Sequence, residues 1–94
     1  MTAPAISDDA VPRLPRGVRL RRDRVRDRWV LLAPERIFEI DETGAEILKR
    51  CDGHLTLAGL VASLAQTFEA APRDIRGDIE EFLSGFAEKR VLDL

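Results

Sequence analysis

Cys51 and His54 are the residues of this 94-residue chain whose types and spacing are most typical of chemistry, because a thiol and an imidazole can ligate a metal or form a nucleophile–base pair. A structural zinc site takes four ligands, and the chain has one cysteine and one histidine, so neither residue type can complete the set. No glycine-rich or amide-rich stretch beside the pair suggests an oxyanion site. The sequence therefore predicts no catalytic residue and no metal site.

A run of arginines raises the question of nucleic acid. Eight of them fall between Arg13 and Arg28, at positions 13, 16, 19, 21, 22, 24, 26 and 28, with only Asp23 and Asp27 to oppose them. The rest of the chain is acidic, with seven basic and fifteen acidic residues. Such a run either neutralises phosphates or forms the solvated face of an edge strand, which charged side chains protect from aggregation.

The last predicted helix has the opposite charge. Residues 72–88 carry two basic and five acidic side chains, so this helix would meet DNA phosphates with repulsion. At about 100° per residue its apolar stripe consists of Ile75, Ile79, Phe82 and Phe86. The flank beside that stripe consists of Asp74, Asp78, Glu81 and Gly85. A groove floored by Phe82, with Gly85 admitting a second backbone, can hold a peptide; the alternative interpretation is an ordinary solvated helix side.

The elements that position these residues begin with three strands. Val18 and Leu20 alternate with arginines, which predicts a strand with one solvated face. The apolar run at residues 29–32 predicts a more buried strand, and residues 36–40 predict a third. Pro34 fixes φ near −65°, which excludes a type I′ turn there and favours a looser or bulged connection. The pattern predicts an antiparallel three-stranded meander.

Three helices follow the strands. Asp41 or Thr43 can cap the first, with Thr43 and Glu46 forming a capping-box pair, and Asp52-Gly53 supplies its stop. Thr56 caps the second and Pro72 begins the third. Val91-Leu92 can close as a short strand. The predicted class is α+β: winged-helix-like, a three-stranded antiparallel sheet followed by a three-helix bundle.

The length and composition fit one domain in a reducing compartment. Residues 1–15 contain three prolines and little apolar periodicity, which predicts a disordered N-terminal tail before a recognition domain at 16–94. A lone cysteine excludes an internal disulfide, and the sequence shows no secretory signal and no apolar stretch of membrane-spanning length. We therefore expect a cytoplasmic protein.

A set of residues along the chain matches a known pattern: Leu31-Leu32-Ala33-Pro34-Glu35-Arg36, Ala45, Ile47-Leu48, Cys51-Asp52-Gly53, Thr56, and Asp78 with Phe82-Leu83. Jointly they resemble the pyrroloquinoline quinone biosynthesis protein D (PqqD) family, from about residue 16 to residue 94. The resemblance implies three strands followed by three helices and no cofactor. It also implies a recognition element that binds a ribosomally made precursor peptide. The element hands that peptide to a radical S-adenosylmethionine enzyme, which cross-links a Glu and a Tyr of it. Relatives tend to have glycine just after the last helix, where this chain departs with Lys89-Arg90.

The predicted function is that of a peptide chaperone, with the precursor added as a strand beside Arg36–Ile40 and packed against the third helix. The candidate peptide-binding residues are Arg36, Ile37, Phe38, Glu39, Ile40, Asp74, Asp78, Glu81, Phe82 and Gly85. The N–H groups of residues 37 and 39 face one way and those of 36, 38 and 40 the other, and the sequence leaves open which set faces the peptide.

The predicted partners are a PqqA-like precursor peptide and a PqqE-like radical S-adenosylmethionine enzyme, with no nucleic acid and no membrane. A homodimer stays open, because the arginine-rich first strand can fold on its own sheet or exchange with a partner's. The two rival functions are a winged-helix nucleic-acid-binding protein and a small enzyme that uses Cys51 and His54.

Overall fold

Three strands precede three helices in the structure, a computed structural model that describes residues 5–94. The elements are β1 (Arg19–Asp23), β2 (Arg28–Ala33), β3 (Arg36–Ile40), α1 (Glu42–Lys49), α2 (Leu57–Thr67) and α3 (Pro72–Glu88). The strands form one antiparallel sheet in the order β1-β2-β3, with β2 in the middle. The predicted α+β class, with a three-stranded antiparallel sheet before three helices, is confirmed.

The connection between β2 and β3 is tighter than the looser or bulged loop expected from Pro34. Ala33 pairs with Arg36, so only Pro34 and Glu35 form the turn. Glu35 has φ of 62°, and a proline followed by a residue with positive φ is the order of φ values in a type II turn. Proline excludes the type I′ turn but suits the first central position of this one, so a two-residue loop remains possible.

One face of the sheet and the three helices enclose a mostly aliphatic core. Leu31 at the centre of β2 is fully buried, and so are Leu57 and Leu64 of α2 and Leu83 of α3. Because side chains alternate along a strand, the residues of β2 and β3 that share the inner face with Leu31 are Trp29, Ala33, Arg36, Phe38 and Ile40. The helices therefore cover this face alone.

The N-terminal residues of α2 and α3 are those that the sequence predicted. For α1 the sequence left two candidate caps, and the structure shows which one is used. Asp41, not Thr43, caps α1, and its carboxylate accepts a hydrogen bond from the N–H of Gly44 at 2.6 Å. Thr56 caps α2, and proline occupies the first turn of α3, as predicted. The stop of α1 differs: the helix ends at Lys49, and Gly53 takes its positive φ of 82° in the loop beyond.

Residues 5–15 are packed against the domain, which differs from the disordered tail expected for 1–15; residues 1–4 lie outside the described part. Ile6 and Pro12 are buried, and the N–H of Leu57 donates to Ala10 O at 2.7 Å. Arg13 and Asp93 exchange two backbone hydrogen bonds of 2.9 Å. The short strand expected at residues 91–92 does not form: both residues are buried but make no strand pairing within residues 5–94, and the isolated bridge lies next to them at Asp93. Isolated bridges leave no periodicity in a sequence, so pattern analysis does not detect them.

The end of α3 explains how the chain does without the glycine expected there. Arg90 donates its N–H to Ala87 O, and Val91 donates to Phe86 O, which together make a Schellman motif. In that motif the residue after the cap is left-handed, and Arg90 has φ of 61°. A non-glycine residue occupies this conformation at a cost in free energy.

We expect Arg90→Gly to raise the free energy of unfolding by about 1 kcal/mol, because glycine takes the left-handed conformation without a Cβ penalty. For a domain of this size that corresponds to a rise in Tm of about 4–8 °C. The control is Lys89→Gly, one residue earlier at φ of −81°, which we expect to lower Tm. Thermal melts of both variants by circular dichroism would contradict the argument if they shifted in the same direction.

Candidate functional site

β3 has one edge open for pairing. β2 pairs with one side of it, and no other strand of residues 5–94 pairs with the opposite side. Ala33 and Arg36 flank a two-residue turn and so form a hydrogen-bonded pair, and such pairs alternate along an antiparallel ladder. The N–H and C=O groups of Ile37 and Glu39 therefore point away from β2. The register thus supplies the parity that the sequence leaves open.

A groove of about 470 Å³ runs beside this edge, between β3 and α3. It is lined by Arg28, Glu39, Ile40, Asp41, Phe82 and Phe86. Phe82 and Phe86 form a connected floor with ring centroids 5.0 Å apart, and Phe38, which is outside the lining, meets Phe86 edge-on at 5.6 Å. An open row of backbone hydrogen-bonding groups therefore lies next to an apolar surface.

Close packing of α1 fixes the position of the groove floor. A Cβ added to Gly44 would stand 2.9 Å from Ile40 Cγ2 and 3.0 Å from Phe82 Cε2. The first contact is shorter than Cβ atoms show and the second is tighter than most, so a side chain here would push Ile40 or Phe82 out of place and glycine favours this close approach of α1. The backbone of α1 thus supports two groove residues from behind.

Ion pairs and caps hold the charged groups around the groove. Arg28 forms an ion pair with Glu39 across the sheet, and Asp41 is engaged as the cap of α1. At the other end of the strand, the Arg36 guanidinium donates to Lys89 O at 2.9 Å and lies 5.6 Å from the Phe38 ring. Arg36 thus ties the start of β3 to the end of α3, and it does not line the groove.

The acidic flank of α3 lies outside the groove lining. Asp74, Asp78 and Glu81 are exposed, and at about 100° per residue Asp78 stands about 40° and Glu81 about 100° from Phe82, on the side away from Leu83. Gly85 falls on the same side, and a Cβ added to it would meet nothing within 4 Å. These residues border the rim next to Phe82.

The structure brings together some of the residues that the sequence singled out and adds others. Glu39, Ile40 and Phe82 line the groove, whereas Ile37 and Phe38 belong to the edge beside it. The sequence analysis did not select Arg28, Asp41 and Phe86 for the site. The helical period placed Phe86 in the apolar stripe of α3, and that was the one signal in the sequence that could have added it to the site. Arg28 depends on the strand register, which the pattern leaves undetermined.

Cys51 is buried, and its environment opposes nucleophilic chemistry. Burial raises the pKa of its thiol to about 12, with a smaller contribution from the charge of Asp52. At neutral pH the sulfur therefore stays protonated, and it lies 3.4 Å from Ile47 O, to which it can donate. His54 is exposed. Over residues 5–94 no cluster of three or more His, Cys, Asp or Glu side chains is arranged to hold a metal ion. No helix in the same range is both long and apolar enough to cross a bilayer.

We expect Cys51 to react with a thiol reagent such as Ellman's reagent at least about a hundredfold more slowly in the folded protein than in urea, because only the opened chain exposes an ionisable thiol. Labelling rates at mild alkaline pH measure this directly. The matched variant is His54→Ala, which should leave the rate unchanged. Fast labelling of the folded protein that slows in His54→Ala would instead reveal an activated Cys–His pair.

Comparison with known proteins matches this fold and sequence to one family. The model of coenzyme PQQ synthesis protein D (PqqD) matches residues 28–92. A bifunctional coenzyme PQQ synthesis protein C/D of Methylorubrum extorquens is 51% identical over 95% of this chain, and the chain spans 24% of that protein's length. A PqqA binding protein of Xanthomonas oryzae pv. oryzae is 44% identical, with 96% of this chain and 98% of that protein covered.

A solved structure agrees with the architecture as well. The solution NMR structure of the PqqD truncation of Methylobacterium extorquens PqqCD superposes with a TM-score of 0.81 at 50% identity, covering 96% of both chains. It is described as a functional and stand-alone recognition element for ribosomally synthesized and post-translationally modified peptides. The family match and these identities together show that the chain belongs to the PqqD family.

Proposed function

We propose that this chain is a peptide chaperone of pyrroloquinoline quinone biosynthesis, which binds a PqqA-like precursor peptide and presents it to a radical S-adenosylmethionine enzyme. The observation that carries the proposal is the open edge of β3 beside an aromatic groove. The relatives named PqqA binding protein, and the relative described as a recognition element, support the same activity. The recognition domain of this proposal is residues 16–94, with residues 5–15 packed against it.

The peptide adds to the sheet as a fourth strand. It exchanges main-chain hydrogen bonds with Ile37 and Glu39, the residues of β3 whose backbone groups point outward. Alternate peptide side chains then face the helix side of the sheet and rest against Phe82 and Phe86. Main-chain bonds supply affinity without regard to sequence, and the aromatic floor selects for apolar side chains at every second position.

The affinity that suits this task is moderate. A dissociation constant of micromolar size or somewhat smaller corresponds to a binding free energy of about −8 kcal/mol or more negative. Such a complex releases the peptide once the enzyme has modified it. The chain contributes no reacting group to that chemistry. Its buried, protonated Cys51 and exposed His54 provide no nucleophile–base pair for the rival enzymatic function.

A nucleic-acid role fits the charge pattern poorly. The helix that would enter a DNA groove in a winged-helix protein is α3, which has two basic and five acidic side chains. Affinity for a duplex depends on neutralising phosphates, so this surface repels DNA. The arginines of β1 lie on a different element and do not change the charge of α3.

We expect a proline scan of β3 to separate folding from binding. Ile37→Pro and Glu39→Pro remove outward N–H groups, so Tm changes little while peptide Kd rises about tenfold or more. Phe38→Pro removes an inward donor and lowers Tm. Glu39→Ala keeps the N–H and serves as the matched control for the side chain. Fluorescence titration with labelled precursor peptide measures Kd; normal binding by folded Ile37→Pro and Glu39→Pro would place the peptide elsewhere.

We expect Gly85→Leu to stabilise the protein and weaken peptide binding. The position is open, so leucine fits and raises helix propensity by about 1 kcal/mol, while its side chain occupies the rim beside Phe82. Gly77→Leu is the control, since Gly77 is equally open but stands about 140° from Phe82 around α3. Both variants should raise Tm in thermal melts, and only Gly85→Leu should raise peptide Kd. Equal Kd values for the two would remove this rim from the site.

A further inference from the structure

The outer face of the sheet has no helix over it. The side chains of Arg21 on β1, Val30 and Leu32 on β2, and Ile37 on β3 alternate with the inward residues and so share this face. Ile37 is 71% exposed, which is unusual for a large apolar side chain in the middle of a strand. This face is opposite to the one that carries α3 and the peptide groove.

The outer face is concave. The β1–β2 turn and the sheet enclose a trough of about 880 Å³, whose floor is formed by Val30, Leu32 and Ile37. Its rim is formed by Arg21, Arg24, Arg26 and Arg28, with Asp23 as the one acid in the lining. Arg22 also borders the trough, but its side chain lies on the inner face, 5.5 Å from the Trp29 ring, and pairs with Asp27 and Glu42. At the tip of the turn Val25 is 93% exposed between two of these arginines. The trough therefore joins an apolar floor to a strongly cationic rim.

Part of that positive charge has no internal partner. Arg26 pairs with Asp23, and Arg28 pairs with Glu39. Arg21 and Arg24 form no ion pair with any residue of the described range 5–94, and both are exposed. Aggregation protection at an edge needs charge along the β1 edge, but it does not require a ring of arginines around an apolar hollow on the sheet face.

We propose that this trough is a second docking surface, which receives an acidic segment with apolar side chains from the enzyme that modifies the peptide; this inference rests on the proposed function. Charge complementarity identifies the occupant as acidic, and the apolar floor requires aliphatic or aromatic side chains beside the acids. The trough and the groove meet at Arg28, which lines both, but the rest of their linings differ, so the enzyme and the peptide bind at the same time. Ile37 connects the two surfaces, with its backbone at the peptide edge and its side chain in the trough.

The test reverses charge on the rim without touching the peptide site. Arg21→Glu/Arg24→Glu changes two exposed arginines of the trough, and Arg16→Glu/Arg73→Glu makes the same change in charge at two exposed arginines outside it. Equal Tm values for the two double variants establish that both are folded. Each is titrated first with labelled precursor peptide, and then, saturated with peptide, with the purified radical S-adenosylmethionine holoenzyme.

At about 50 mM salt we expect Arg21→Glu/Arg24→Glu to raise the enzyme Kd about tenfold or more, and at about 500 mM the difference should shrink because salt screens rim charges. Its peptide Kd should equal that of the wild type, and the control should match the wild type in both titrations. Wild-type protein that fails to bind the peptide would refute the proposed function itself.

If both double variants bind the peptide normally and have the same enzyme Kd, the trough is not the docking surface of the enzyme, and the proposed function is unaffected. The trough assignment is also overturned if the rim variant retains enzyme binding but loses binding to anionic vesicles, to duplex DNA or to a second copy of the chain measured by sedimentation.

Discussion

The burial of a three-stranded sheet on one face only is the constraint from which the other features follow. Within residues 5–94 only β2 is paired on both sides, so β1 and β3 each present an open edge to the described part of the chain. With helices on one face only, the other face keeps Ile37 71% exposed, although Val30 beside it is buried without a helix over it. A domain of this size has too little chain to cover both. Edges and uncovered faces are aggregation hazards in most proteins, and here arginines protect one edge while the other lies beside an aromatic groove.

Local patterns predicted most of this architecture. The alternation around Leu20, the cap at Thr56 and the proline at the start of α3 each depend on a few neighbouring residues, and each agrees with the structure. The packed segment 5–15 depends instead on contacts between distant residues. The turn at Pro34 is local, but proline suits both a two-residue type II turn and a longer connection, so the residue type did not decide between them. Arg13 finds its partners in Asp52 and Asp93, and no window of sequence contains all three. Periodicity detects elements that bury a face, not single bridges.

The elements that form the candidate site were predictable from the sequence, but the groove between them was not. Phe82 and the third strand were identified because a helical stripe and a short alternating strand are visible in the chain. The groove itself depends on how α3 crosses β3, and that crossing is set by the close approach of Gly44, whose role has no local signature. For the same reason the acidic flank was placed in the site, while the structure puts Asp78 on the rim and Arg28 in the lining.

The bridge between Arg13 and Asp93 has a mechanical meaning. In an antiparallel pair the N-terminal end of one segment lies beside the C-terminal end of the other. A force that pulls residues 5 and 94 apart therefore loads the two hydrogen bonds one after the other, which is the unzipping geometry. In a shear geometry both bonds would carry the force at once. The segment before Arg13 is also held to α3, where the Ile6 N–H donates to Glu80 at 2.7 Å and Asp8 pairs with Arg76, so these contacts share the load with the bridge. None of these residues lines the groove.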